Sequence, residues 1–227
     1  MKTQNPRPSV SLPFEDRVQA GRLLATELGL YRNRPNVLVL GLPRGGLPVA
    51  YEIAKCLEAP LDALLVRKLG VPGQIELAFG AIAMGGVRVL DSGTIEQLRL
   101  TPQEIEETTA EERRVLESRN RLYRQGRPTP AVYGRAVIVA DDGIATGSTM
   151  RAAVQALRHQ KPSRIVVAAP TASLQAVSML RGEADEVVCL AQPDPFYAVG
   201  YWYRDFAQVT DEEVRWLLDR ATKAPAA

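Results

Sequence analysis

The chain has 227 residues, 46% hydrophobic and 24% charged, the balance of a globular protein able to bury its own core. Lys and Arg number 28 against 26 Asp and Glu, and a net charge of +2 is no footprint for nucleic acid or a membrane surface. A single histidine, His159 at an expected helix end, excludes multi-histidine metal centres. Two cysteines, Cys56 and Cys189, sit in apolar sequence; they supply neither a disulfide framework nor a zinc site and fit a reduced, cytoplasmic setting.

Residues 1–13 are polar, carry three prolines and read as a disordered or loosely docked tail without the apolar stretch of a secretory signal. No run approaches the ~20 apolar residues of a membrane span. Residues 14–227 read as a single domain. Phe14, Val18, Leu24 and Leu28 fall at helical spacing, and Gly29 ends that run. Val37 to Leu42 is unbroken apolar sequence, the mark of a strand buried on both faces. Gly45 and Gly46 lead into a helix with Val49, Ile53 and Leu57 inward, and Leu61 to Val66 completes a strand–helix–strand unit. Gly70–Gly86 holds five glycines and no clean period, which suggests a mobile loop. Thr101-Pro102-Gln103-Glu104 supplies a cap, a first-turn proline and a capping-box glutamate for one charged surface helix over 101–125. Strands follow at Ala136–Ala140, Arg164–Ala169 and Glu186–Leu190, with helices through Leu157 and near Leu174–Leu180. The alternation predicts an α/β fold, a parallel sheet with helices on both faces.

Chemistry concentrates in Val137-Ile138-Val139-Ala140-Asp141-Asp142-Gly143-Ile144-Ala145-Thr146-Gly147-Ser148-Thr149. A buried strand delivers two carboxylates to its C-terminal end, where open α/β sheets bind ligands. The helix start behind them offers free amides, three hydroxyls and a positive dipole end to a phosphate. A ribose 5-phosphate meets both demands, its hydroxyls at the acids and its phosphate at the helix. The acids also read as turn residues and Ser148 as a cap, which leaves the other hydroxyls unexplained. The chain lacks a Gly-Lys-Ser/Thr P-loop, the Gly-x-Gly-x-x-Gly spacing and a Gly-x-Ser-x-Gly elbow.

Segment 137–150 resembles the phosphoribosyl pyrophosphate (PRPP) loop of the type I phosphoribosyltransferases. Gly41-Leu42-Pro43-Arg44-Gly45-Gly46 is similar to that family's pyrophosphate loop, Arg67-Lys68 to a strand-ending pair, and 193–201 to the hood of purine members. The whole run from about Phe14 to Leu218 resembles a bacterial group of predicted phosphoribosyltransferases. The resemblance implies a parallel-sheet core, a flexible loop at Gly70–Gly86 with hinges at Gly70, Gly73 and Gly80, and a small C-terminal hood. It implies transfer of ribose 5-phosphate from PRPP to a nucleobase-like nitrogen, with pyrophosphate released and Mg²⁺ held mainly by substrate and water near Asp141 and Asp142. Arg44, Gly45, Gly46, Asp141, Asp142, Gly143, Ile144, Ala145, Thr146, Gly147, Ser148 and Thr149 would bind PRPP. Arg67 and Lys68 would meet the leaving group, Glu76 could take a proton, and Phe196 or Tyr197 would stack on the acceptor base. The chain departs from the family at Ala145 and Ala78, where purine members carry an acid. The resemblance therefore also admits a non-catalytic PRPP or nucleotide sensor. The family often forms homodimers.

Overall fold

Adjacent residues of the buried strands serve two different cores. The computed structural model describes residues 11–71 and 74–223, the side chains of 74–76 and 223 excepted. Strands β1 (Val37–Gly41), β2 (Leu61–Ala63), β6 (Ala136–Ala140), β7 (Arg164–Thr171) and β8 (Glu186–Ala191) form a parallel sheet in the order β2-β1-β6-β7-β8. Leu38, Leu40, Val137 and Val139 face α5 (Ser148–His159) and α6 (Leu174–Arg181). Val37, Val39, Ile138 and Ala140 face α1 (Arg17–Glu27) and α2 (Gly46–Leu57). Side chains alternate across a strand, so a run apolar at every position requires a helix layer on each face.

The stretch expected as a loop is mostly strand. β3 (Val66–Val71), β4 (Gln74–Ala83) and β5 (Val87–Leu90) form a second, antiparallel sheet in the order β3-β4-β5. Its core residues Leu69, Phe79 and Ile82 pack with Leu116 and Tyr123 of α4 (Pro102–Arg124) and Val214 and Leu218 of α7 (Asp211–Lys223). The glycines hid this sheet by interrupting its alternation. The register of β3 against β4 shifts beside Leu69 and Gly70, and Gly85 and Gly86 both adopt positive φ between β4 and β5. Pro72 and Gly73, one of the expected hinges, lie outside the described residues.

Two further expectations change. The first helix starts at Arg17, because Asp16 caps it by accepting from the Gln19 amide at 2.7 Å. Phe14 is instead extended and bridges to Tyr203, its amide donating to the Trp202 carbonyl at 2.8 Å. Of the expected tail, residues 1–10 lie outside the described residues, whereas Leu12 packs beside Phe14. The expected strand Leu61–Val66 splits at Leu64, so Arg67 and Lys68 lie inside β3 rather than ending a strand of the parallel sheet. Cys56 is exposed and Cys189 is buried.

The expected surface helix is present, and its capping box forms between Thr101 and Glu104. Its last residue ties the helix to β2, the edge strand of the parallel sheet. Arg124 is almost completely buried; its Nε donates to Asp62 Oδ2 at 3.1 Å and its Nη2 to the Ala63 carbonyl at 2.9 Å. Removing one member of a buried ion pair leaves the other uncompensated and costs about 3–5 kcal/mol. Arg124→Met is expected to lower unfolding free energy by about that amount, measured by urea denaturation. A midpoint unchanged from the parent chain would show that the pair contributes nothing.

Candidate active site

The carboxyl end of β6 meets three other segments. Asp141 and Asp142 follow Ala140 directly, with the turn between β1 and α2 folded over them. A Cβ on Gly45 would lie 2.0 Å from Asp142 Oδ2, and one on Gly46 would lie 2.7 Å from the Ala140 carbonyl. Glycine is required at both positions by this close approach. The peptide joining Pro43 and Arg44 in the same turn is cis.

The acids are far less open to solvent than their place at a sheet end suggests. The Asp142 side chain is 13% exposed and accepts from Arg17 Nε at 2.8 Å, while the Arg17 side chain is 11% exposed. Asp141 Oδ1 accepts from the Asp142 amide at 2.9 Å. Burial, followed by the charge of Asp142, pushes the Asp141 carboxyl well above the usual carboxylate range. The Tyr203 hydroxyl donates to the Asp142 carbonyl at 2.5 Å, and burial raises its pKa so that it keeps that proton.

Beyond the acids the loop is pinned from behind. The Ile144 amide donates to the Thr171 carbonyl at 3.0 Å, and the Ser173 hydroxyl donates to the Ala145 carbonyl at 2.6 Å. Ile144 is buried, and Val199 covers Gly143. Gly147, at φ 77°, is the N-cap of α5 and has no side chain with which to occupy the first helical amides. The Ser148 amide has only a long 3.4 Å contact to Thr146 Oγ1. Donors at this helix start therefore remain available to an anion. Thr146 and Thr149 are exposed around it, and the Thr146 and Ser148 hydroxyls lie 3.0 Å apart.

The two basic candidates diverge. Lys68 Nζ donates to Ser148 Oγ at 3.4 Å and lines a cavity of about 390 Å³ with Ser148, Arg151, Leu77 and Ala78. Arg67 points the other way: its Nε lies 2.5 Å from Glu112 Oε2, beside a small recess shared with Pro43, Thr149 and Arg119. Arg44 reaches towards Asp211 of α7 at 3.8 Å. The Glu76 side chain lies outside the described residues. Phe196 and Tyr197 are separated in role. Phe196 is half-buried with its ring 6.2 Å from that of Trp202, whereas Tyr197 is 68% exposed with its ring 5.3 Å from that of Tyr201.

A family model described as a phosphoribosyl transferase domain matches residues 15–201. The chain belongs to the phosphoribosyl transferase domain family. Two curated relatives from Mycobacterium tuberculosis, strains CDC 1551 and H37Rv, are each 48% identical over 208 residues and carry the words phosphoribosyl transferase in their names. The match covers 92% of this chain and 47% of each relative, so the chain spans about half their length. The crystal structure of TT1426 from Thermus thermophilus is 45% identical, with a TM-score of 0.83 over 91% of this chain and 98% of that one.

Within this phosphoribosyl transferase domain, Arg17, Tyr203, Ser173 and Arg119 were not among the site residues expected from sequence. Ser173 carried a local signal, since it caps α6 by accepting from the Ala176 amide at 3.0 Å. Arg17 carried none, because 125 positions separate it from Asp142. The loop 141–149 offers two carboxylates, and no cluster of three or more His, Cys, Asp or Glu occurs among the described residues. That donor set fits a hard cation that brings most of its own oxygen ligands.

The environments of the acids predict opposite effects of neutralising them. The folded chain disfavours ionised Asp141, so its contribution is lost as pH rises from the unfolded carboxylate range through the raised folded value. Asp141→Asn keeps the Oδ1 acceptor and is expected to raise the thermal midpoint at neutral pH by a few degrees, a gain that vanishes in acid. Asp142→Asn leaves Arg17 without its anion and is expected to cost about 1–3 kcal/mol. Thermal unfolding of both variants from about pH 4 to 8 checks the pair, and equal shifts of the same sign would contradict it.

Proposed function

We propose that this domain moves the ribose 5-phosphate of PRPP to a nucleobase-like nitrogen and releases pyrophosphate. One observation carries the reading: a helix start with no side-chain cap stands directly behind two carboxylates on the same chain segment. The amides and hydroxyls of 144–149 would hold the 5-phosphate. Asp141 and Asp142 would accept from the ribose hydroxyls, and the backbone at Gly45 and Gly46, bare of side chains, would lie along the diphosphate. Mg²⁺, when bound with PRPP, would supply charge neutralisation to the departing diphosphate, with Asp141 and Asp142 close enough to orient its water ligands. Phe196 and Tyr197 would present an aromatic face to the acceptor. The exposed thiol of Cys56 is at home in the reducing cytoplasm.

Lys68 is the favoured partner for the leaving group because a long 3.4 Å contact to Ser148 holds it loosely, whereas Arg67 is engaged by Glu112. Negative charge grows on the leaving oxygen as its bond to C1 stretches, so a nearby ammonium acts more strongly in the transition state than in the ground state. Loss of one such donor lowers turnover by about 10²–10³. Purified protein, PRPP, Mg²⁺ and a panel of bases form the assay, with pyrophosphate as the readout. Lys68→Ala should lose kcat on that scale and keep PRPP affinity within a few-fold; a rise in the apparent PRPP constant alone would make the contact one of uniform binding. The second reading, a PRPP-binding regulator, is favoured by Ala145 and Ala78, which offer no acid to a purine nitrogen. Tight PRPP binding without pyrophosphate release under any base would select it.

A further inference from the structure

Arg17 brings a positive charge into the acid pair from outside the strand-end loop. It is the first residue of α1, and three separate groups hold its guanidinium. Nε donates to Asp142 Oδ2 at 2.8 Å, Nη1 donates to the Ala207 carbonyl at 2.8 Å, and Cζ lies 3.8 Å from the centroid of the Phe206 ring. Two of the three restraints come from the C-terminal segment, so the guanidinium is fixed independently of the acid it faces.

The turn at Gly45 crowds the same carboxylate oxygen. Gly45 approaches Asp142 Oδ2 so nearly that a methyl group there would overlap it. A bare divalent cation seeking Oδ2 would have to displace Arg17 or stand beside it in a poorly solvated pocket. Like charges at that distance repel strongly where water is scarce. Asp141 offers limited compensation, since its Oδ1 already accepts from the Asp142 amide. Mg²⁺ gives up its water reluctantly and binds through few carboxylates when phosphates supply the remaining ligands.

We propose that Arg17 is the resident counter-ion of the acid pair, a positioning residue that excludes free divalent cations and admits the metal only as its diphosphate complex. A metal–diphosphate complex is itself anionic and brings its own oxygen ligands, so it needs a fixed carboxylate geometry from the protein rather than a large negative charge. This inference rests on the PRPP reading for the identity of the diphosphate, but the exclusion of free metal stands on the ion pair itself.

Mn²⁺ is the probe, titrated alone and then with PRPP into the full chain and followed by electron paramagnetic resonance. The parent chain is expected to bind free Mn²⁺ weakly. Arg17→Gln, which keeps a donor but no charge, should bind it at least about tenfold more tightly. Arg17→Lys restores the charge and should return to parental behaviour. Adding Asp142→Asn to Arg17→Gln should remove the gain. Equal free Mn²⁺ affinity in the parent and Arg17→Gln overturns the proposal, as does a gain in Arg17→Lys as large as in Arg17→Gln. Circular dichroism confirms that each variant is folded. Should Arg17→Gln not fold, Arg17→Met, which keeps an apolar stem over Phe206 without the charge, takes its place. Tighter free Mn²⁺ binding in Arg17→Met than in the parent upholds the proposal, and equal binding overturns it. Failure of the parent chain to bind Mn²⁺ with PRPP refutes the PRPP reading instead, and the metal-alone titrations still judge Arg17.

Discussion

Two adjacent carboxylates at the end of an apolar strand create an electrostatic demand that the surrounding fold answers piece by piece. β6 is buried along its whole length, so the chain cannot swing Asp141 and Asp142 freely into water. Burying such charge without partners is costly. Compensation comes from a distant part of the sequence, Arg17 at the start of α1, while the Tyr203 hydroxyl holds the Asp142 carbonyl and the turn at Gly45 and Gly46 closes over the acids. Asp141 receives the least and carries the perturbed ionisation. The docking of α1 and of the C-terminal segment on the parallel sheet is therefore part of the site's electrostatics.

The same demand explains the construction of the small hood. Its core is Phe14, Ala20 and Tyr203, with Leu12, Val199, Trp202 and Phe206 packed around them. The extended chain at Phe14 lies against Tyr203 and joins both ends of the domain beside the acids. The C-terminal segment places Tyr203 beside Asp142, but its own cation, Arg204, pairs with Glu15 instead. The N-terminal segment supplies the cation at Asp142.

The parallel sheet was legible because its signal is local. Strands buried on both faces write continuous apolar runs, and the helices between them carry their own caps and periodicity. The loop from Asp141 to Thr149 was legible for a similar reason: acids, glycine and hydroxyls stand consecutively in the sequence. The antiparallel sheet was not, because glycines at 70, 80, 85 and 86 break its period and a register shift interrupts the pairing. Arg17 was invisible for a different reason. An arginine after a capping aspartate looks like any solvated first-turn residue, and only tertiary structure sets it opposite Asp142. Long-range ion pairs leave no periodic trace.

The antiparallel sheet also decides how the two basic neighbours differ. Alternation along β3 sends Arg67 towards α4 and Lys68 towards α5. Arg67 meets a carboxylate at 2.5 Å, so an arriving anion must compete with Glu112 for it. Among the described residues Lys68 meets a hydroxyl at 3.4 Å, a weak contact that releases the ammonium at little cost. The two cations would therefore cost different amounts to release to an anion, although one peptide bond separates them. Under the proposed function Lys68 would respond first, and Arg67 would join only for a better anion than Glu112. Arg119, on the same helix as Glu112 and lining the same recess as Arg67, would lower the cost of that exchange for an anion entering the recess, because a second guanidinium there favours added negative charge.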